Sequence, residues 1–346
     1  PDNTVRGAFI RNQALLGLPA RECATPRSGW IWCDDFGQNR LGSYFEYDNA
    51  GGNFARAGAV GVNGSYGMRA RFNAGQTSAG SLKLAFGRTP DPYMDPVDAG
   101  TAKYKQIFWR IYLRNAPNWI GGGGDKLSRA IVFARSDWSE AAIGHVWSGS
   151  SSSNRNYLLT EAVSGTDAAG NLRTRGYNDF ANMRWIGSKQ GTTPLFSSGN
   201  VGEWYCVEAR MRLNDLGESN GIFDLWIDGK LQGRTSNLNW RGSYNSYGIN
   251  ALFLENFWNN GSPQRQDRFI DNLVVSTSRI GCGSSTSDDT PPAVSSVSVS
   301  PTSTSIAAGT TRQYSAVARD ASGNTVSGGS FRWSSSNTPA ATVSSS

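Results

Sequence analysis

From Trp30 to Ser276 the chain is written in the period of a β-strand. Apolar and polar residues alternate in short runs, and each run stops at Gly, Asn, Asp or Ser. No stretch sustains a helical period, so helices are not expected to build the core. Strands are predicted near Trp32–Phe36, Tyr66–Phe72, Ser81–Phe86, Gln106–Leu113, Lys126–Phe133, Ala142–Trp147, Tyr157–Glu161, Trp204–Leu213, Ile222–Ile227, Ala251–Asn256 and Arg268–Ser276. Residues 163–200 read as a long insertion. So many antiparallel strands over about 250 residues call for two packed sheets, as in a jelly roll or sandwich.

Composition narrows the function classes. The net charge of +6 favours anionic partners such as acidic polysaccharide, or serves only solubility. The basic residues are scattered, and no helix-turn-helix, zinc-finger or RNA-binding signature occurs, so no nucleic-acid partner is expected. No apolar run has membrane length, so no membrane insertion is expected. No signal peptide occurs in this numbering, and a start at Pro1 is compatible with a mature form. Cys23, Cys33, Cys206 and Cys282 include no CxxC pair, and the lone His145 cannot complete a zinc set. Two disulfides in an oxidising compartment fit this even count. Three connectivities are open; a bridge from Cys282 to Cys33 or Cys23 would join the ends of the large domain and leave Cys206 as a buried thiol.

The organisation follows from composition shifts. Residues 1–29 form an N-terminal arm, and 30–282 the large β domain. The polar, proline-ended "GSSTSDDTPP" opens a linker over 283–293, and 294–346 a second domain rich in Ser, Thr, Ala and Val. Its alternating "RQYSAVARD" and "SFRWSSS" mark short strands. The "VSVSP" start, the "AAGTTRQYSAVARDASGN" middle and the "WSSSNTPAATVS" end resemble bacterial immunoglobulin-like domains. The resemblance implies a partial β-sandwich whose closing strands would lie beyond Ser346, on a secreted or cell-surface bacterial protein with a tethering or spacing module.

In the large domain, "EWYCVEARMRLNDLGESNGIFDLWIDGKLQG" holds two strands, the second ending in an Asp228-Gly229 hairpin turn. With "WCDDFG" and "RFIDNLVVST" it resembles the concanavalin-A-like jelly rolls, a superfamily of lectins, laminin-G-like modules, glycoside hydrolases and polysaccharide lyases. The fold class expected is therefore all-β: a two-sheet antiparallel jelly roll (concanavalin-A-like) with a partial C-terminal immunoglobulin-like sandwich. That resemblance implies a structural calcium with Asp35 and Asp271 as ligand candidates, and no cofactor required for catalysis. Strand-capping and turn roles are the alternative for both acids. "GGGGDKLSRAIVF" resembles the lysine-bearing strand of alginate- and glucuronan-lyase-like families, departing from it by the inserted Asp125 and by Ser128-Arg129 in place of Pro-Gly.

Strand alternation assigns faces without any family. Ile107, Trp109, Ile111 and Leu113 should face the core, leaving Gln106, Phe108, Arg110, Tyr112 and Arg114 opposite. In "KLSRAIVF" the set Leu127, Ile131 and Phe133 points inward and Lys126 and Ser128 outward, with Arg129 an awkward inward residue unless a bulge intervenes. Ala142, Gly144 and Val146 read as core against Ile143, His145 and Trp147; Phe223, Leu225 and Ile227 read as core against Asp224 and Trp226. If these strands share a sheet, its open face is a basic groove for acidic polysaccharide. Arg110, Tyr112, Lys126 and His145 are then the catalytic candidates for β-elimination: a cation neutralises the uronate carboxylate, and a base takes the C5 proton. Gln106, Trp147 and Trp226 are the substrate-binding candidates. With twelve tryptophans, some are expected to stack on sugars. A polysaccharide lyase is the leading reading. A non-catalytic lectin-like module and a structural or adhesin protein are its rivals. Hydrolysis would need paired carboxylates, for which Glu208 with Asp224 is the candidate.

Overall fold

The computed structural model describes residues 22–283 and 295–319, with Trp333, Ser335, Asn337 and residues 340–343 beyond. Two compact units divide the chain, residues 1–284 and 285–346. In the second, β16 (Ser296–Ser300) pairs antiparallel with β17 (Ser315–Arg319), from the predicted "VSVSP" and "RQYSAVARD" runs. The "SFRWSSS" run falls largely, and the linker and the arm through residue 21 almost wholly, outside the described residues.

The first unit is a sandwich of two antiparallel sheets, the expected jelly roll. Numbered in chain order, its strands are β1 (Trp30–Asp34), β2 (Glu46–Asp48), β3 (Phe54–Ala57), β4 (Gly67–Phe72), β5 (Ser78–Ala85), β6 (Gln106–Asn115), β7 (Lys126–Phe133) and β8 (Glu140–Ser148). They continue with β9 (Leu158–Ser164), β10 (Arg184–Gln190), β11 (Tyr205–Arg212), β12 (Gly221–Ile227), β13 (Lys230–Leu238), β14 (Ala251–Phe257) and β15 (Gln266–Ser276). The first sheet runs β13-β12-β11-β6-β15-β4-β3, with β1 also paired to β15. The second runs β10-β9-β8-β7-β14-β5-β2. Each predicted run in this unit is a strand. The short β2 and β3 and the polar β10 and β13 lack a strong alternating signal and are additional.

Between the sheets pack Ile107, Trp109, Ile111 and Leu113 of β6, Phe223, Leu225 and Ile227 of β12, and Ala130 and Val132 of β7, all buried. Removing each large apolar side chain from water stabilises the fold by roughly 1.5–3 kcal/mol. Gly144 lets β8 approach the first sheet. A Cβ there would sit 3.2 Å from both Met211 Sδ and Phe223 Cζ. The β12–β13 turn is as predicted: Asp228 and Gly229 both take positive φ, +50° and +76°, the mirror-image turn that matches the strand twist.

Two sequence expectations are corrected by the pairing. β6 hydrogen-bonds to β11 and β15 in the first sheet, whereas β7 and β8 lie in the second. The polar residues of β6 therefore cannot share a face with those of β7 and β8. Alternation says which residues share a side of a strand, but not which sheet the strand joins. The inward assignment of Ile131 and Phe133 also fails. A bulge between Lys126 and Ser128 resets the phase, so Ser128 points inward and accepts from Trp109 Nε1 at 3.0 Å. Arg129, Ile131 and Phe133 turn to the outer face, where Ile131 and Phe133 join a cluster separate from the main core.

The cysteines pair Cys23–Cys33 and Cys206–Cys282. Cys206 is thus not a free thiol, and Cys282 closes onto β11 rather than onto Cys33 or Cys23.

Candidate functional site

The outer face of the first sheet is sealed. Arg110 is fully buried, donates to both oxygens of Glu22 and to the Gly281 carbonyl, and leaves no surface charge. Tyr112 is buried beside it, with its pKa pushed up to about 12 by burial against the opposing effect of the Arg110 charge. Trp226 is buried under Arg279, whose guanidinium carbon lies 4.3 Å from the ring centroid. Gln106 reaches the Thr277 carbonyl at 3.4 Å. Glu208 accepts from the peptide N–H groups of Ile280 and Gly281, and Asp224 pairs with Arg210 and Arg234. The segments around Glu22 and 277–283 cover this face. Arg110, Tyr112, Gln106 and Trp226, and the Glu208–Asp224 pair, therefore stand apart from Lys126, His145 and Trp147, on the opposite side of the sandwich.

The outer face of the second sheet is different. The bulge in β7 places Lys126 and Arg129 on one side although they are three residues apart. Across the ladder Lys126 pairs with Trp147, and Arg129 with His145. Arg129 is buried and donates to Glu255 at 2.9 Å, to Asn178 Oδ1 at 2.6 Å and to the Tyr177 hydroxyl. Glu140 joins from β8, its Oε2 accepting from Asn178 N at 2.9 Å. Burial pushes the Glu140 carboxyl up to about 7, opposed by the nearby Arg129 charge. Burial also raises the Tyr177 phenol, against the pull of Arg129.

Lys126 has no salt bridge among the described residues. Its ammonium lies 5.7 Å from the Trp147 ring centroid and 4.7 Å from that of Phe257. Burial lowers its pKa, and Glu255 partly offsets this. His145 is wholly buried, and neither ring nitrogen has a partner in hydrogen-bonding geometry. Burial first, then the charges of Arg129 and Lys126, hold it well below the ordinary histidine range, so it is neutral at pH 7. Its ring lies 3.9 Å from that of Trp147 and stacks on Trp185 at 5.8 Å. Trp185 is the one exposed tryptophan among the described residues, at 53%. Six other tryptophans are buried, and Trp30, Trp138, Trp147, Trp204 and Trp333 are half-buried; of these, Trp147 lies against Trp185. Lys83, paired with Glu46, lies between 5.3 and 5.6 Å from the rings of Phe253, Trp138 and Tyr177.

The glycine run before β7 anchors this geometry. Gly121, Gly122, Gly124 and Asp125 all take positive φ. Arg268, buried on β15, donates to the carbonyls of Gly123 and Lys126, and burial brings its pKa down to about 10. A cation from one sheet thus pins the strand start that carries Lys126 on the other. The sequence reading missed Arg129, Tyr177, Trp185, Glu140 and Glu255. Tyr177 and Trp185 come from the 163–200 stretch, which folds across the face. "KLSRAIVF" contained the signal for Arg129, since an inward arginine there already implied a bulge.

Residues 293–346 match the family model of the bacterial Ig-like domain (group 2). Among proteins of curated function, none matches the chain. In solved structures, the chain is similar to an endo-β-1,4-glucuronan lyase from the fungus Trichoderma reesei at 13% identity, covering 72% of this chain and 96% of that one, with a TM-score of 0.48. An alginate lyase from a Chlorella virus is 12% identical over 68% of this chain and 93% of its own, TM-score 0.46. The alginate lyase of Aplysia kurodai is 10% identical over 72% and 100%, TM-score 0.45. At these values the likeness carries no inference about chemistry, which rests on the face itself.

The two calcium candidates lie by β1 and β15. Asp271 accepts from Val62 N at 2.8 Å, Ser65 Oγ at 3.0 Å and Asn272 N at 2.7 Å, and burial raises it to about 7. Asp35 accepts from the peptide N–H groups of Cys23 and Gly37. Calcium takes six to eight oxygens with free lone pairs. Here the carboxylates face donors, and no group of three or more His, Cys, Asp or Glu side chains suited to a metal occurs among the described residues. The donor set as it stands does not fit that ion.

Proposed function

We propose that the outer face of the second sheet acts on an acidic polysaccharide by β-elimination, in a secreted or cell-surface protein. The observation that carries this is the set Lys126, Arg129 and Tyr177: a lysine without a salt bridge among the described residues and a tyrosine hydroxyl held by a guanidinium, on a face that also carries several aromatic rings. Aromatic rings suit sugar C–H faces, and the cations suit a uronate carboxylate.

Elimination needs that carboxylate neutralised before the C5 proton becomes acidic. Arg129 supplies the positive field, and Lys126 acts in its neutral form. Lys126, lowered by burial, is the group suited to accept the C5 proton; Tyr177, kept protonated, is suited to donate to the leaving oxygen. Trp185 offers the accessible stacking platform, and buried His145 supports it from behind. Two disulfides and the immunoglobulin-like match support an extracellular setting and a tethering role for the second unit.

Ultraviolet absorbance during incubation with alginate, glucuronan, pectate and glycosaminoglycans tests the reading. Rising absorbance from an unsaturated uronate on one polymer, lost in Tyr177→Phe, is the expected result. A flat trace on all of them, with the folded protein, overturns it. A second reading is favoured by one specific observation: Arg129 and His145 are fully covered, as in a glycan-binding face that does no chemistry. Saturable binding of a polyuronate without product would select that reading.

A further inference from the structure

At the end of β7, away from Lys126, lies an open basin of about 740 Å³. It is lined by Arg88, Lys103, Arg135, Tyr244, Tyr247 and Asn245, among others. Its volume falls within the span of small-ligand sites, roughly 300–1,000 Å³. Arg129 lies four residues before the end of β7 at Phe133 and Arg135 two beyond it, so strand alone separates them by roughly 13 Å at the usual rise. The basin is thus distinct from the set around Arg129.

Three observations set it apart. Its three cations are exposed and form no salt bridge among the described residues. No acidic side chain lines it. The nearest acid in sequence to Arg135 is Asp137, whose Oδ1 is engaged by Ser139. The Tyr244 hydroxyl is shielded from solvent with no partner in hydrogen-bonding geometry. Lys103 is tied to the far wall by a bond to the Asn245 carbonyl at 2.9 Å, and the Arg88 guanidinium lies 5.3 Å from the Tyr247 ring. Asp137 feels the Arg135 charge from outside the lining, while an anion inside the basin would be attracted by all three cations. Two tyrosine rings beside them add flat apolar surface and hydroxyl donors.

We propose that this basin is a second glycan site, binding the carboxylate of an acidic sugar unit between Arg88, Lys103 and Arg135, with the ring against Tyr244 and Tyr247. It holds polymer without acting on it. The choice of a sugar carboxylate over a bare oxyanion rests on the acidic-glycan reading of the sheet face; the anion preference rests on the basin alone.

The test uses the full chain, labelled with nitrogen-15, titrated with sodium glucuronate, with glucose and with inorganic sulfate. The side-chain Nε–H signals of arginine and the indole N–H signals of tryptophan are followed together. The expected result is a saturable shift of the Arg88 and Arg135 signals with glucuronate and none with glucose. In Arg135→Ala, the apparent affinity read at Arg88 should fall by about tenfold, the loss of one charge-assisted hydrogen bond. Circular dichroism confirms that this exposed substitution leaves the fold intact. Unmoved Arg88 and Arg135 signals overturn the basin, even if the Trp185 indole moves and the sheet-face reading survives. Shifts in the basin with the indoles still support the basin and count against the face. Equal response to sulfate overturns the sugar assignment.

Discussion

The two outer faces of the sandwich use the same residue types to opposite ends. On the first sheet, Arg110 and Tyr112 are two apart on β6 and both buried, with the guanidinium carbon 5.1 Å from the ring centroid. On the second, Arg129 lies 5.0 Å from the Tyr177 ring. The first pair is closed over by Glu22, by the Gly281 carbonyl and by two disulfide-anchored segments. The second keeps Tyr177 at 36% exposure, with Trp138 and Lys83 beside it. An arginine–tyrosine pair is structural or chemical according to what covers it. Residue type and alternation alone cannot distinguish the two.

The sharpest break between the faces is in turnover. Tyr177→Phe and Lys126→Ala should each lower kcat by about 10² to 10⁴, the usual scale of a lost general acid or base, with polymer binding retained in Tyr177→Phe. Tyr112→Phe should leave kcat unchanged. Initial rates on the responsive polyuronate check this, and equal losses on both faces would erase the contrast.

Stability should reverse the order. Arg110→Ala strands the buried Glu22 carboxylate and should cost roughly 3–5 kcal/mol. Replacing Cys206 and Cys282 with serine opens a link across 76 residues and should cost roughly 4 kcal/mol in the chain-entropy account. Urea unfolding of both variants, compared with Lys126→Ala, tests whether the first face serves the fold and the second does not.

The next effect is a pH dependence seated on the second face. Glu140 is raised from 4.5 to about 7 in the folded protein. A carboxyl raised by folding contributes stability at low pH that is lost as pH climbs from about 4.5 through 7. Asp271, raised to about 7, acts in the same direction from the other side of the sandwich. His145, kept neutral, acts oppositely and only below its ordinary value near 6.5. Between pH 6.5 and 8 stability should therefore fall. Glu140→Gln should flatten that fall, removing a penalty of order 3 kcal/mol at pH 8. Melting curves at pH 6.5 and 8 decide it, and an unchanged slope in the variant would assign the effect elsewhere.

Smaller still, Trp185→Ala should weaken polyuronate binding by roughly tenfold, within the range for a lost aromatic platform. It should leave stability nearly unaltered, because the ring is already half in water. Calorimetric binding and a melting curve on the same sample separate the two. The smallest expected effect is that of calcium. With the oxygens of Asp35 and Asp271 facing N–H and O–H donors, added calcium or a chelator should leave Tm unmoved. A clear rise with calcium would show those donors displaced.

Much of the scaffold was legible because alternation and turn chemistry are local. The core set Ile107, Trp109, Ile111 and Leu113, the outward turn of His145 and Trp147, and the Asp228-Gly229 hairpin all follow from neighbouring residues. The candidate site was half legible. Lys126, His145 and Trp147 lie together as the alternation of β7 and β8 implied. Arg129 was hidden by a bulge that shifts the phase of β7. Tyr177 and Trp185 were hidden in a stretch with no strong period.

By itself, then, the sequence determined that the large unit is all strands, where most of its strands lie, and which side of β6, β8 and β12 meets the core. Side-chain period and turn residues act over a few positions and need no partner. Only the tertiary structure decided that β6 joins one sheet and β7 and β8 the other, that Cys206 meets Cys282, and that the 163–200 stretch brings Tyr177 to Arg129. Backbone hydrogen bonds between strands carry no imprint of their distant partner in the local pattern. The choice among pairings falls to the summed packing of the whole sandwich.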